Sequence, residues 1–130
     1  MYSSQVLDHF QNPRNPGELH PADATVRLEN PACGDVLELS ARVEGGRIAE
    51  IRFRAKGCVS AMACGSAVTE MVQGKPLEDA VNLSREDLVQ KVGGLPDGST
   101  HASYLAIEAL ASLLKKLPTF LPYTNRIKII

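Results

Sequence analysis

The feature that most constrains this chain is a change of hydrophobic period part-way along it. From Ala24 to Ala55 apolar side chains recur at every second residue, and from Ala61 onward at every third or fourth. Ala24, Val26 and Leu28 open the first pattern. Leu37, Leu39, Ala41 and Val43 then alternate with Glu38, Ser40, Arg42 and Glu44, and Ala49, Ile51, Phe53 and Ala55 alternate with Glu50, Arg52 and Arg54. Successive side chains of a strand point to opposite faces, so these are three half-buried strands, each with one apolar face. Such a face needs cover. The helical stripe Ala61, Cys64, Gly65, Val68, Met71 and Val72, ending before Gly74 and Pro76, supplies it. Strands first and helices after them mean an α+β fold.

Gly45-Gly46 separates the second strand from the third. A two-residue loop there would set Ala41 opposite Glu50 and mix apolar with charged side chains on one face. A three-residue loop, Glu44-Gly45-Gly46 with Gly46 left-handed, is therefore predicted; it pairs Leu37 with Phe53, Leu39 with Ile51, Ala41 with Ala49 and Glu38 with Arg52.

Other helices follow from their end signals. Ser3 or Ser4 caps a short helix over Gln5 to Phe10, with Val6, Leu7 and Phe10 on one face, and Pro13 ends it. Pro13, Pro16, Gly17 and Pro21 mark a loop. Pro76 suits the first turn of a helix to about Val81, and Ser84 with Asp87 forms a capping box for another to about Val92. Gly93, Gly94, Pro96 and Gly98 force a loop. Ser99 or Thr100 then caps a last helix whose Ser103, Ile107, Leu110, Leu114 and Leu117 share a face until Pro118. The 130 residues make one domain, 1–118, followed by a segment 119–130 without clear period.

Fourteen Lys and Arg against fifteen Asp and Glu give a net charge of −1, and there is no Trp. Neither a positive field for a phosphate backbone nor a set of aromatic platforms for bases is available, so no nucleic-acid partner is expected. No stretch approaches the ~20 apolar residues of a membrane span, and Met1 to Gly17 does not read as a signal peptide. The expected setting is the cytoplasm. Cys33, Cys58 and Cys64 are an odd count, which there favours metal or thiol chemistry over a disulfide framework.

Pro31-Ala32-Cys33-Gly34-Asp35 offers a thiolate and a carboxylate on one tight turn. Gly57-Cys58 puts a second thiol at a helix start, where unpaired N–H groups and the helix dipole are expected to lower its pKa. His101 follows a glycine-rich loop at the start of the last helix, where the dipole disfavours imidazolium and leaves a ring nitrogen to coordinate. Together these supply S, O, S and N donors. Cys64, six residues past Cys58, is rotated by about 240° from it around a helix and is expected in the core. Asp8-His9 without a nucleophile is expected at a helix surface. Arg42, Arg52, Arg54 and Lys56, interleaved with Glu38 and Glu50, are expected to be a solvated face.

These residues resemble the IscU/NifU-type iron-sulfur cluster assembly scaffolds. The likeness runs from about Tyr2 to Leu117 and rests on Tyr2 with Val6, Asp8-His9-Phe10, Asn12-Pro13-Arg14-Asn15, Asn30-Pro31-Ala32-Cys33-Gly34-Asp35, Lys56-Gly57-Cys58 with Ser60-Ala61, Val68-Thr69-Glu70, Gly74-Lys75, and Leu95-Pro96 before His101. It implies a SufE/NifU-like architecture, a three-stranded antiparallel sheet packed on one face by helices, and a [2Fe-2S] cluster, iron or zinc held by Cys33, Asp35, Cys58 and His101. The aspartate is associated there with a labile, transferable cluster. The implied protein is a scaffold or carrier rather than an enzyme, a monomer or weak homo-oligomer, taking sulfur from a cysteine desulfurase and passing clusters to apo-proteins. A zinc-bound sulfur acceptor serving the desulfurase, or a structural metal-binding paralogue, are the alternatives. This chain departs from the pattern at His101-Ala102, where the family has His followed by a third cysteine. It also carries Leu95-Pro96-Asp97-Gly98-Ser99 in place of Leu-Pro-Pro-Val-Lys, a segment some members offer to a dedicated chaperone, so that partner is not expected.

Overall fold

A computed structural model describes residues 1–117. The predicted tail, 119–130, and the expected stop at Pro118 lie outside the described residues. The element order is α1 (Ser4–Gln11), β1 (Ala24–Glu29), β2 (Val36–Glu44), β3 (Arg47–Lys56), α2 (Val59–Val72), α3 (Leu77–Val81), α4 (Arg85–Lys91), a short 3-10 turn (Asp97–Ser99) and α5 (His101–Lys116). The strands form one antiparallel sheet in the order β1-β2-β3. Val26, Leu37, Leu39, Ala41, Ile51 and Phe53 are buried together with residues of α2 and α5, so the core lies between one sheet face and the helices.

The hairpin register differs from the predicted one. Glu44 pairs with Arg47, so the two-residue Gly45-Gly46 turn forms after all, with both glycines left-handed at φ 61° and 75°. A register shift between Arg42 and Val43, taken up by Ala49 on β3, then restores the pleat. Beyond it Leu37 faces Ala55, Leu39 faces Phe53, Ala41 faces Ile51 and Glu38 faces Arg54. The clash of faces that argued against the short turn is removed by one extra residue on one strand, as a bulge does.

α2 is not a one-sided helix. Ser60, Ala61, Ala63 to Thr69 and Val72 are all buried, because the sheet, α1 and α5 surround it. Its residues are small, which lets the neighbours approach. A Cβ on Gly65 would lie 2.8 Å from the Phe53 ring and 3.0 Å from Leu37. Cys64 points into this core as expected.

α1 turns a different face inward from the one predicted. Ser3 caps it through Val6 N–H at 3.0 Å, and Val6 and His9 are buried while Leu7 and Phe10 are exposed. His9 is thus an interior residue, not a surface one. Its Nδ1 lies 2.7 Å from Ser66 Oγ, which also accepts the Arg14 N–H at 2.8 Å. The Ser66 hydroxyl proton is therefore free to go to Nδ1, placing the imidazole proton on Nε2, 3.6 Å from Glu70 Oε1. Burial, and then Arg14, push the His9 pKa below its ordinary value.

The N-terminal segment then seals the sheet. Phe53 N–H donates to Asn15 C=O at 3.0 Å and Gly17 N–H to Phe53 C=O at 2.8 Å, along the outer edge of β3. Gly74 to Leu77 bond to the same edge at Gly46 and Ile48, and Gln73 Oε1 accepts the Ile51 N–H between them. Glu18 reaches Arg54 and Leu19 N–H reaches Ser40 Oγ, so the chain crosses the polar sheet face on its way to β1. The arginines predicted to be solvated are largely paired: Arg42 and Arg52 with Glu50, Arg54 with Glu18. α4 carries both hydrogen bonds of the predicted Ser84–Asp87 capping box.

Candidate metal centre

Three segments meet at the end of the hairpin opposite the Gly45-Gly46 turn. The first joins β1 to β2. Asn30 organises it: its Oδ1 accepts the Ala32 N–H at 3.0 Å, its carbonyl accepts from Cys33 (3.3 Å) and Gly34 (2.7 Å), and its own N–H donates to the Asp35 carbonyl at 2.8 Å. These bonds close a tight loop, and Gly34 at φ 77° lets it reverse. Cys33 is left exposed at the crest and Asp35 is turned inward.

The second segment is the passage from β3 into α2. Gly57 has φ 139°, and a Cβ on it would lie 2.1 Å from Asp35 Oδ1. The carboxylate thus fills the space that any other side chain would take. Cys58 caps α2, its Sγ accepting the Ala61 N–H at 3.3 Å. The third segment is the start of α5, where His101 Nε2 lies 3.1 Å from Asp35 Oδ2. Thr100 gives no side-chain cap; the 3-10 turn runs directly into α5, and Ser103 Oγ–H bonds back to the Thr100 carbonyl at 2.7 Å.

Asp35 is the hub. Cys58 N–H donates to Oδ1 at 3.2 Å, and the Cys58 thiol donates to Oδ2 at 3.4 Å, the oxygen that also faces His101. Burial works to raise the Asp35 pKa. Donation from Cys58 N–H, then from the Cys33 and Cys58 thiols and His101, outweighs it and holds the carboxyl below its ordinary value. A carboxylate that is buried yet charged is a strong anionic anchor for a cation.

Ligand atoms of Cys33, Asp35 and His101 lie within 4.8 Å of one another, and Cys58 joins them through its contact with Asp35. Bonds of about 2.0–2.3 Å around one tetrahedral ion would set such atoms roughly 3.3–3.8 Å apart. Two sulfurs, one oxygen and one nitrogen form a set suited to zinc or iron.

Residues 1–119 match the family described as the NifU-like N terminal domain. The chain belongs to this family. Two Archaeoglobus fulgidus proteins named iron-sulfur cluster assembly scaffold proteins IscU 1 and IscU 2 are each 44% identical to it over 110 residues, covering 85% of this chain and 72% of theirs. The Aquifex aeolicus scaffold protein IscU is 43% identical over 116 residues, 88% of this chain and 74% of that one. In fold, the crystal structure of a NifU-like protein (N-terminal) from Brucella abortus superposes with a TM-score of 0.74 at 15% identity, covering 88% of this chain and 92% of that one. The α+β architecture read from the alternation is that of the NifU-like neighbours.

Within this NifU-like domain all four candidate residues are brought together. One expectation about them fails. Cys58 is not an activated thiol here: burial, together with the Asp35 charge, pushes its pKa up, against the N–H groups of Ala61 and Ser60 that pull it down. The helix-start effect is present but smaller than the desolvation. Cys64 has no accessible surface, and burial pushes its pKa up to about 12. Ala102 is buried, whereas His101 next to it is partly exposed. Two supporting residues escaped analysis by residue type. Asn30 carried the Asn-Pro turn signal, whereas the fit of Gly57 to Asp35, twenty-two positions away, left no local trace.

Proposed function

We propose that this NifU-like domain is an iron-sulfur cluster assembly scaffold or carrier, in which Cys33, Asp35, Cys58 and His101 hold iron or a [2Fe-2S] cluster as cargo. The observation that carries the reading is the charged, buried Asp35 in contact with Cys58 and His101 and beside Cys33, in a chain 44% identical to proteins named as scaffolds. Scaffolding needs ligands that capture iron and sulfide and then release them. Two thiolates give affinity, while carboxylate and imidazole hold iron less firmly than a third and fourth thiolate would, which favours hand-over. Asp35 is the natural point of release, because hydrogen-bond donors from Cys58 and His101 stand ready to take up its lone pairs when the metal leaves. Asp35→Ala is accordingly expected to slow cluster loss.

The partners that fit are a cysteine desulfurase as sulfur source and apo-proteins as recipients, in the cytoplasm, where thiols stay reduced. Among the described residues no helix is long and apolar enough to cross a membrane. No turnover chemistry is assigned to the domain itself. The test is iron, zinc and acid-labile sulfide per chain after anaerobic incubation with desulfurase, cysteine and ferrous iron. Iron and sulfide in about equal amounts, lost in Cys58→Ser, support the scaffold. Zinc alone, retained without sulfide, replaces it with a zinc-bound sulfur acceptor.

A further inference from the structure

α5 carries two apolar stripes, and the fold encloses only one of them. Ala102, Leu105, Ala106, Ala109 and Leu113 are buried in the core. Ile107, Ala111 and Leu114, spaced four and three residues apart, form a second stripe on a neighbouring strip of the helix. With Val81 and Leu83 they line a groove of about 210 Å³ between α5 and α3. α3 has five residues against sixteen in α5, too few to cover that stripe. Val81 is therefore 49% exposed, Ala111 is exposed and Ile107 is only partly buried. Among the described residues Lys115 alone brings a charge to the lining. A groove of this make-up suits an apolar occupant.

The chain leaves α5 at one end of this groove. Leu114 and Lys115 line it, and Leu117, two residues on, is fully buried with its N–H bonded to the Leu114 carbonyl at 3.3 Å. The backbone at Leu117 is already extended, at φ −73° and ψ 132°. Pro118 comes next and cannot prolong a helix. Thr119-Phe120-Leu121-Pro122-Tyr123 then places three large apolar side chains within four positions. Extended chain covers at most about 3.5 Å per residue, so Phe120 lies within about 10 Å of Leu117 and Tyr123 within about 20 Å. From Leu114 back to Ile107 is about 10 Å along the helix. The reach suffices for the whole groove. Charge fits as well: Arg126 and Lys128 follow, with no Asp or Glu after Pro118, while α3 opens with the exposed Glu78 and Asp79. A tethered segment also meets the groove at an effective concentration on the order of millimolar, which favours it over a partner arriving from solution.

We propose that the groove between α3 and α5 is the seat of the chain's own segment 119–123, with Phe120 and Leu121 entering it. Seated there, the segment covers the second stripe of α5 and ties α3 to the helix that begins with His101.

Hydrogen exchange read by mass spectrometry on the full chain tests this, in the parent protein beside Phe120→Asp and Ala111→Glu. Ala111 is exposed on the groove wall, so a carboxylate there spoils the seat without entering the core. The amides of 119–123 are expected to exchange at least about tenfold more slowly than unstructured chain, and both variants to abolish that protection and speed exchange at Val81–Leu83. Unstructured rates in the parent protein overturn the proposal. So does protection that survives Ala111→Glu, or protection shared with β1 instead of α3, which would seat the segment on the outer sheet edge. Protection that falls on tenfold dilution, with a dimer mass by light scattering, assigns the groove to a second copy's segment and overturns the intramolecular seat. Should Ala111→Glu lose its circular dichroism signal, Phe120→Asp, altered outside the described core, decides alone.

Discussion

Two of the histidine–carboxylate pairs among the described residues, His9–Glu70 and His101–Asp35, are built in opposite senses. In the pair that fastens α1 to α2, the histidine is the buried member: His9 is 5% exposed in its side chain and Glu70 37%. In the pair at the sheet end the carboxylate is buried, with Asp35 at 4% and His101 at 34%. Each arrangement selects a charge state. A buried imidazole with one serine partner is most stable neutral, so His9 acts as a shaped polar plug between helices. A buried carboxylate fed by several donors stays charged, and the imidazole above it remains open to solvent and to a metal. The same two residue types thus pack helices together at one place and line the candidate metal centre at the other, according to which member is enclosed.

Substitutions can break this contrast. The largest effect is expected from His9→Ala, which opens a cavity and removes the partner of Ser66; unfolding in urea should show a loss of about 2–4 kcal/mol. Zinc affinity of the folded fraction should be unchanged. Gly57→Ala should act on the candidate site as well as on stability. Its left-handed backbone costs about 1–3 kcal/mol, and displacement of Asp35 should weaken zinc binding about 10–100-fold by competition titration.

Acid should act on the first pair. The folded-state pKa of His9 lies below the ordinary 6.5, so its contribution is intact above that value and is lost as pH falls through the depressed one. Arg14, Lys91, Asp8 and Glu70 are the charged groups around it. The urea midpoint should therefore drop between about pH 7.5 and about pH 5.5, and the drop should shrink in His9→Gln. The smallest effect is expected from Glu70→Gln, whose carboxylate is well exposed and shared among His9, Arg14 and Lys91; a change under about 1 kcal/mol would place the work of the pair on the enclosed histidine.

What could be read in the sequence follows the reach of each interaction. The alternation around Leu39 and Ile51 reports which face is buried, because that depends only on neighbours two residues away. It is blind to a slip of two along the partner strand, since Ile51 and Phe53 serve equally opposite Leu39, and that is where the register prediction failed. Cys33, Asp35, Cys58 and His101 were legible as donors on turns and helix starts. The depression of the Cys58 pKa was misjudged because the dipole is a local property and desolvation is not. His9 was misplaced for the same reason: its partner Ser66 is fifty-seven residues away.

The bulge at Ala49 has a consequence at the other end of the hairpin. Asp35 continues the register in which Val36 faces Lys56, and so meets Gly57 across the strands. Were the strands to zip straight on from the Glu44–Arg47 pair with Ala49 kept in the ladder, Asp35 would face Lys56 instead of Gly57, roughly 20 Å from Ala49. The bulge near Gly45-Gly46 is therefore a distant setting for the candidate metal centre: it supplies the one-residue offset that brings Gly57, which has no side chain, opposite Asp35.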